Sequence, residues 1–178
     1  MNAAPLAGTL GFVPSSKLLI RPASADDCPL ILGFIKELAE YEKLSHEVVA
    51  TATRLEETLF GADPVAEVVI AEWDGAAVGF ALFFANYSTF LAQPGIYLED
   101  LYVSPAYRGR GIGKALLAHL ANVVRDRGWG RLDWSVLDWN APAIEFYLGI
   151  GALPLDDWMQ FRLHGQALDK VASGLKIQ

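Results

Sequence analysis

A single cysteine, Cys28, stands among the 178 residues. One thiol cannot close an intramolecular disulfide and has no partner for a CxxC redox or zinc motif, so it reads as a small apolar core residue. Histidine is almost as scarce. The three present, His46, His119 and His164, lie too far apart in sequence to form a metal motif, and they read as surface or packing residues with no metal expected. Every stretch of eighteen residues is broken by a charge or a turn signal, which argues against a membrane-spanning helix despite a mean hydropathy of +0.27. No Lys or Arg precedes Lys17, so residues 1–16 lack the basic start of a secretory signal and the Arg-rich face of a transit peptide. Export is not expected, and the cytoplasm is the expected location. Basic residues number 14 against 21 acidic ones, a net charge of -7, which disfavours nucleic acid as a general partner.

What the chain does have is material for a core. Hydrophobic residues make up 53% and charged residues 20%, a packed globular composition that excludes general disorder. At this length one domain is expected, burying about 70% of its unfolded surface. The charge, however, is uneven. Arg108, Arg110, Lys114, Arg125, Arg127 and Arg131 fall in one segment whose only acid is Asp126, so residues 108–131 carry +5 and the remainder -12. An anion is expected near the first region and a cation near an acidic pocket elsewhere; a solvated basic helix face is the plainer alternative.

Residues 1–16 hold Pro5, Pro14 and no periodicity, and are read as a flexible extension of a domain spanning 17–178. Leu18, Leu19 and Ile20 form a short strand candidate ended by Arg21 and Pro22. Ser24 and Asp27 have capping-box spacing, and Leu30, Ile31, Phe34, Ile35, Leu38 and Tyr41 recur at three and four, predicting a helix to about Lys43. A shorter helix is expected from Thr53, as its cap, to Gly61. Residues 65–73 and 77–85 flank Asp74-Gly75 and predict an antiparallel hairpin. A loop with Pro94-Gly95 leads to a third strand over 96–103, interrupted by the adjacent carboxylates Glu99 and Asp100. A glycine-rich loop and a long helix ending at Gly128 follow. Then come a strand over 131–137, a short helix with Asn140 as cap and Pro142 in its first turn, a strand over 158–164 and a polar helix near Ala167. The order predicts an α/β layer with a mixed sheet, in which the long helix crosses between parallel neighbours.

The loop Arg108-Gly109-Arg110-Gly111-Ile112-Gly113-Lys114 lies between a strand and a helix, where backbone amides favour phosphate or pyrophosphate. A dinucleotide fingerprint fails at Lys114 or at Leu116, depending on where it starts. A P-loop fails at Arg108 and Ala115. What remains is R-x-x-G-x-G, formed by Arg108, Gly111 and Gly113, and it resembles the coenzyme A signature of the GNAT superfamily of N-acetyltransferases. The element order is similar to that fold from Leu18 to about Val171. Ile20-Arg21-Pro22-Ala23, Leu38-Ala39-Glu40-Tyr41-Glu42, Tyr97-Leu98-Glu99-Asp100, Trp139-Asn140 and Phe146-Tyr147 resemble the diamine, spermidine/spermine-like branch in order and context. The resemblance implies a mixed, mostly antiparallel sheet with flanking helices, and acetyl-CoA as co-substrate. Leu101, Tyr102 and Val103 would pair with the pantetheine arm. Arg108 belongs to the signature, and Gly109, Arg110, Gly111, Ile112, Gly113 and Lys114 would hold the pyrophosphate. Asn140 and Ala143 would line the far side of the cofactor. It also implies a homodimer.

Transfer of acetyl to an amine needs a free lone pair, and with an amine pKa of about 10.4 roughly one molecule in 2,500 is neutral at pH 7. A base and a stabiliser of the departing thiolate are therefore required. Glu99 is the candidate base, directly or through a water, with Asp100 competing for the role and a substrate-binding role open for Glu99. Tyr147 is the candidate acid toward the coenzyme A sulfur, with aromatic packing as its plainer role. Backbone N–H near Leu101 is the expected oxyanion donor in direct transfer. The resemblance implies Tyr41 and Glu42 as substrate contacts, beside Glu99 and Asp100, with a solvated helix-end carboxylate as the plainer role of Glu42. Leu148-Gly149-Ile150-Gly151-Ala152 departs from the family pattern, which places basic residues after the tyrosine. The expected reaction is acetylation of a primary amine on a polyamine, diamine or basic amino acid. A non-catalytic acyl-CoA sensor and a protein-amine acetyltransferase are the alternatives.

Overall fold

A computed structural model describes residues 17–174, which divide into two compact units, one ending at Ser135 and the other beginning at Val136. The expected N-terminal extension, residues 1–16, lies outside the described residues.

The first unit is built on a five-stranded sheet in the order β1 (Leu18–Pro22), β2 (Glu67–Trp73), β3 (Ala76–Ser88), β4 (Gln93–Val103) and β5 (Leu132–Trp134). The first four strands pair antiparallel, and β5 pairs parallel to β4. The sheet is thus mixed and mostly antiparallel. The β2–β3 turn holds Asp74 at φ 51° and Gly75 at φ 81°, the two left-handed residues of a type I′ turn, whose twist suits a two-residue hairpin. Arg21 on β1 ties the first strands together. It donates to Asp27 at 2.8 Å through both terminal nitrogens and to Glu72 at 2.6 Å, holding the Asp27 carboxyl far below the usual range.

Helices α1 (Cys28–Tyr41) and α2 (Ala52–Phe60) close one face of the sheet. Ile70, Phe80 and Tyr102 stand in one cross-strand row and pack with Ile31, Phe34 and Leu59. The ring of Phe34 stacks on Phe80 at 5.7 Å and lies 5.9 Å from Tyr102. Val69, Ala81 and Leu101 form the adjacent row, which pleating turns to the opposite face. Helix α3 (Ile112–Asp126) belongs to that side, with Ile112, Ala115, Leu116, Leu117 and Leu120 buried at helical spacing and Gly113 abutting Val103. The second unit carries α4 (Ala141–Gly149) and α5 (Gly165–Ala172).

Several boundaries differ from expectation. The cap of α2 is Thr51, two residues before Thr53, because the Thr51 hydroxyl accepts the Arg54 amide at 3.2 Å. Pro94 and Gly95 lie inside β4 and are not a loop. The strand expected over 131–137 is only three residues long, since β4 offers it just three partners. The strand expected over 158–164 is absent: the segment alternates suitably, but no strand of the sheet pairs with it. Asn140 occupies the cap position of α4, yet its backbone carbonyl, and not its side chain, accepts the amides of Ala143 and Ile144.

Candidate active site

The pairing of β4 with its two neighbours is uneven. Its parallel register with β5 runs from Ile96↔Leu132 to Leu98↔Trp134 and stops, whereas its antiparallel register with β3 continues to Val103. From Asp100 to Val103, β4 therefore has a strand partner on one side alone among the described residues. An extended amide-bearing ligand can use such an edge through main-chain hydrogen bonds.

The same point carries a bulge. Leu82 faces Asp100 and Phe83 faces Leu98, so Glu99 has no partner on β3. The extra residue resets the alternation, and Asp100 shares the register row of Leu82, a residue packed on the α1-side core. Burial pushes the Asp100 carboxyl up to about 6, helped by the negative charges of Glu99 and then Glu42. The carboxyl of Glu42, which follows the end of α1, is also raised by burial. Glu99 and Glu42, from two elements, thus both act on Asp100, which would gain from a cation placed beside it.

The loop after β4 supplies the opposite polarity. Gly109 and Gly111 have φ 75° and 80°, values that favour glycine, and a Cβ at Gly109 would meet nothing within 4 Å. Gly111 caps α3, and the first intrahelical bond runs from the Ala115 amide to the Gly111 carbonyl at 2.9 Å. The amides of Ile112, Gly113 and Lys114 thus precede that ladder and point out of the helix end. An open glycine turn, first-turn amides and the basic Arg110 and Lys114 suit a diphosphate, so the residues present fit coenzyme A. Arg110 is held over Trp73 and Tyr107, at 5.5 Å from each ring centroid.

Arg108 is oriented differently from its neighbours. Its Nε donates to the Val103 carbonyl at 2.9 Å, and its guanidinium carbon lies 4.9 Å from the Tyr41 ring and 5.8 Å from the Tyr102 ring. Tyr102 donates its hydroxyl to Glu37 at 2.7 Å; burial, then that bond, pushes the phenol up to about 12. Glu37 was not anticipated from sequence, since only the folded chain brings it to Tyr102, and the contacts of Trp73 and Tyr107 with Arg110 were not assigned either.

The first unit therefore gathers Tyr41, Glu42, Glu99, Asp100, Leu101, Tyr102, Val103 and the loop from Arg108 to Lys114. Asn140, Ala143 and Tyr147 belong to the second unit. There Tyr147 sits on α4, half-buried, with its ring 5.4 Å from that of Phe146.

The family model described as the acetyltransferase (GNAT) family matches residues 34–151, a stretch that runs through both units. A thialysine N-epsilon-acetyltransferase of Sus scrofa is 40% identical over 168 residues, covering 88% of this chain and 98% of that protein. An L-ornithine N5-acetyltransferase of Arabidopsis thaliana is 32% identical, covering 85% of this chain and 86% of that protein. Among solved structures, an integron cassette protein from the mobile metagenome of V. cholerae superposes with a TM-score of 0.75 at 27% identity, covering 89% of this chain and 99% of that one.

Proposed function

Because this chain belongs to the GNAT acetyltransferase family and is an N-acetyltransferase, we propose that it transfers acetyl from acetyl-CoA to a primary amine of a small cationic molecule. The acceptor class is a polyamine, a diamine or an amino acid with a basic side chain. The observation that carries this reading is Asp100, raised by burial and then by the charges of Glu99 and Glu42, on the strand that feeds the phosphate-type loop. Relatives named for thialysine and ornithine acetylation support the same acceptor class.

Coenzyme A supplies the activated thioester. The amides at the start of α3 bind its diphosphate, and the unpaired edge of β4 from Leu101 to Val103 orients its pantetheine arm. Asn140 and Ala143 of the second unit are assigned to its far side by the family resemblance alone. Glu99 and Asp100 attract the ammonium, with Glu42 acting on Asp100 and Tyr41 as a further acceptor contact, and one carboxylate of the pair accepts its proton. Asp100 is poised near neutrality, where a general base works best, and Glu99 on the exposed bulge passes the proton to water. The amine lone pair then attacks the carbonyl carbon while the main-chain N–H near Leu101 steadies the oxygen. As the C–S bond breaks, Tyr147 donates a proton to the departing sulfur, and the second N–H proton of the attacking nitrogen restores its phenol. We further infer that residues 17–178 act as one catalytic domain behind the 1–16 extension, as a homodimer in the cytoplasm. No helix among the described residues is long and apolar enough to cross a membrane.

The deciding experiment is a panel of mono-, di- and polyamines and basic amino acids with acetyl-CoA, following thiol release. Turnover confined to cationic primary amines supports the reading. CoA binding without turnover of any amine would sink it in favour of an acyl-CoA sensor.

A further inference from the structure

Arg108 heads the glycine signature, and the resemblance counts it among the coenzyme A contacts. Its Nε is committed elsewhere. The Nε–H is spent on the Val103 carbonyl at 2.9 Å, and the guanidinium carbon lies 4.9 Å from the ring centroid of Tyr41, from α1, and 5.8 Å from that of Tyr102, from β4. Tyr102 is itself anchored to α1 through Glu37 at 2.7 Å. One side chain therefore ties together the end of α1, the end of β4 and the first residue of the loop. Those two ends carry the acidic groups: Glu42 directly follows Tyr41, and Glu99 and Asp100 precede Leu101 on β4.

We propose that Arg108 is a positioning residue for the amine acceptor and not a phosphate ligand: by clamping Tyr41 to the end of β4 it sets the distance between Glu42 and the Glu99–Asp100 pair. The inference rests on the amine-acetyltransfer reading above. A planar, delocalised cation is required because it must donate from Nε and stack on a ring at once. Lysine keeps the charge but, as a point donor, cannot donate from Nε and lie flat on a ring at once.

The test uses the full chain with Arg108→Gln, Arg108→Lys, Tyr41→Leu and the Arg108→Gln/Tyr41→Leu double variant. It measures the amine KM and kcat by thiol release and the CoA Kd by calorimetry. Both Arg108 variants are expected to raise the amine KM about fivefold or more while the CoA Kd stays within about twofold. The double variant should be no worse than the more affected single variant, because the two residues act as one unit. A rise of about tenfold in the CoA Kd of Arg108→Gln, restored by Arg108→Lys, would make Arg108 a phosphate ligand and overturn the proposal. Independent, multiplying effects of Arg108 and Tyr41 overturn it as well, as does a lower Tm with both constants unchanged, which marks a simple structural staple. Should Arg108→Gln fail to fold, Arg108→Lys carries the comparison. A parent protein that acetylates no amine removes the function reading and this inference together. A parent that acetylates amines while its variants lose only CoA affinity removes this inference alone.

Discussion

Asp100 carries the most informative charge in the protein, because its ionisation is opposed by burial and by two neighbouring carboxylates. In the free protein it is neutral below about pH 6, and an ammonium beside it restores the carboxylate. Amine binding should therefore release a proton near pH 6, and the amine KM should rise as pH falls through that value. In Asp100→Asn that inflection should vanish; a KM–pH profile identical to the parent's would exclude Asp100 from acceptor binding. Stability should move the other way. A carboxyl with a folded pKa above its ordinary value helps the fold at low pH, and that help is lost as pH rises from about 4 through 6, by at most about 3 kcal/mol. Asp100→Asn should thus have a higher Tm than the parent at pH 8 and a similar one at pH 4, measured by thermal unfolding. Tyr147 makes a different kind of claim. If its phenol protonates the sulfur, Tyr147→Phe should lower kcat on the order of a hundredfold with the CoA Kd unchanged, whereas a packing role would cost Tm and leave kcat intact.

At the scale of elements, glycines separate what the loop does from what the sheet needs. Gly111 caps α3 with φ 80°, so Gly111→Ala strains the backbone by about 1–2 kcal/mol at the point where a diphosphate would be gripped. Calorimetry should show a CoA Kd raised about tenfold with a modest loss of Tm. Gly95 is the opposite case. A Cβ there would meet Asn86 Oδ1 at 2.6 Å and the Arg131 carbonyl at 2.9 Å, beneath the Asn86 to Asp133 hydrogen bond of 2.8 Å. Arg131 Nε lies 2.7 Å from the same Asp133 oxygen, close enough for an ion pair though not aligned as a hydrogen bond. Gly95→Ala should therefore lower stability by about 2 kcal/mol or more, with residual activity lost in proportion to unfolding. The same contrast explains what the sequence could disclose. Asp74-Gly75, the periodicity of α1 and α3 and the R-x-x-G-x-G loop are local signals, and each was legible. The bulge at Glu99 was not, because it is fixed by the register of β3 across the sheet. Nor was the orientation of Arg108, whose partner Tyr41 lies 67 positions away. Residues 158–164 failed for the complementary reason: alternation makes a segment fit to pair but supplies no partner strand.

Across the whole molecule the charge is divided, and salt can tell which part of it the ligands sense. A net charge of -7 spread evenly would repel the anionic cofactor, so added salt would tighten CoA binding. The local alternative counts only charges within about a Debye length, about 10 Å at 0.1 M ionic strength. If CoA is held by the start of α3, the charges nearest to it are Arg110 and Lys114, within a segment of net charge +5. Added salt should then weaken CoA binding, and the sign of the effect separates the two pictures. The acceptor side should respond to the remaining charge of -12 and to the cluster around Asp100. Raising ionic strength from about 0.05 to about 0.5 M should increase the KM of a dicationic amine several-fold and that of a monocationic amine less, with kcat nearly constant. Both constants rise only if cofactor and acceptor meet opposite local fields. A CoA Kd that falls with salt would mean the diphosphate does not sit on this glycine loop.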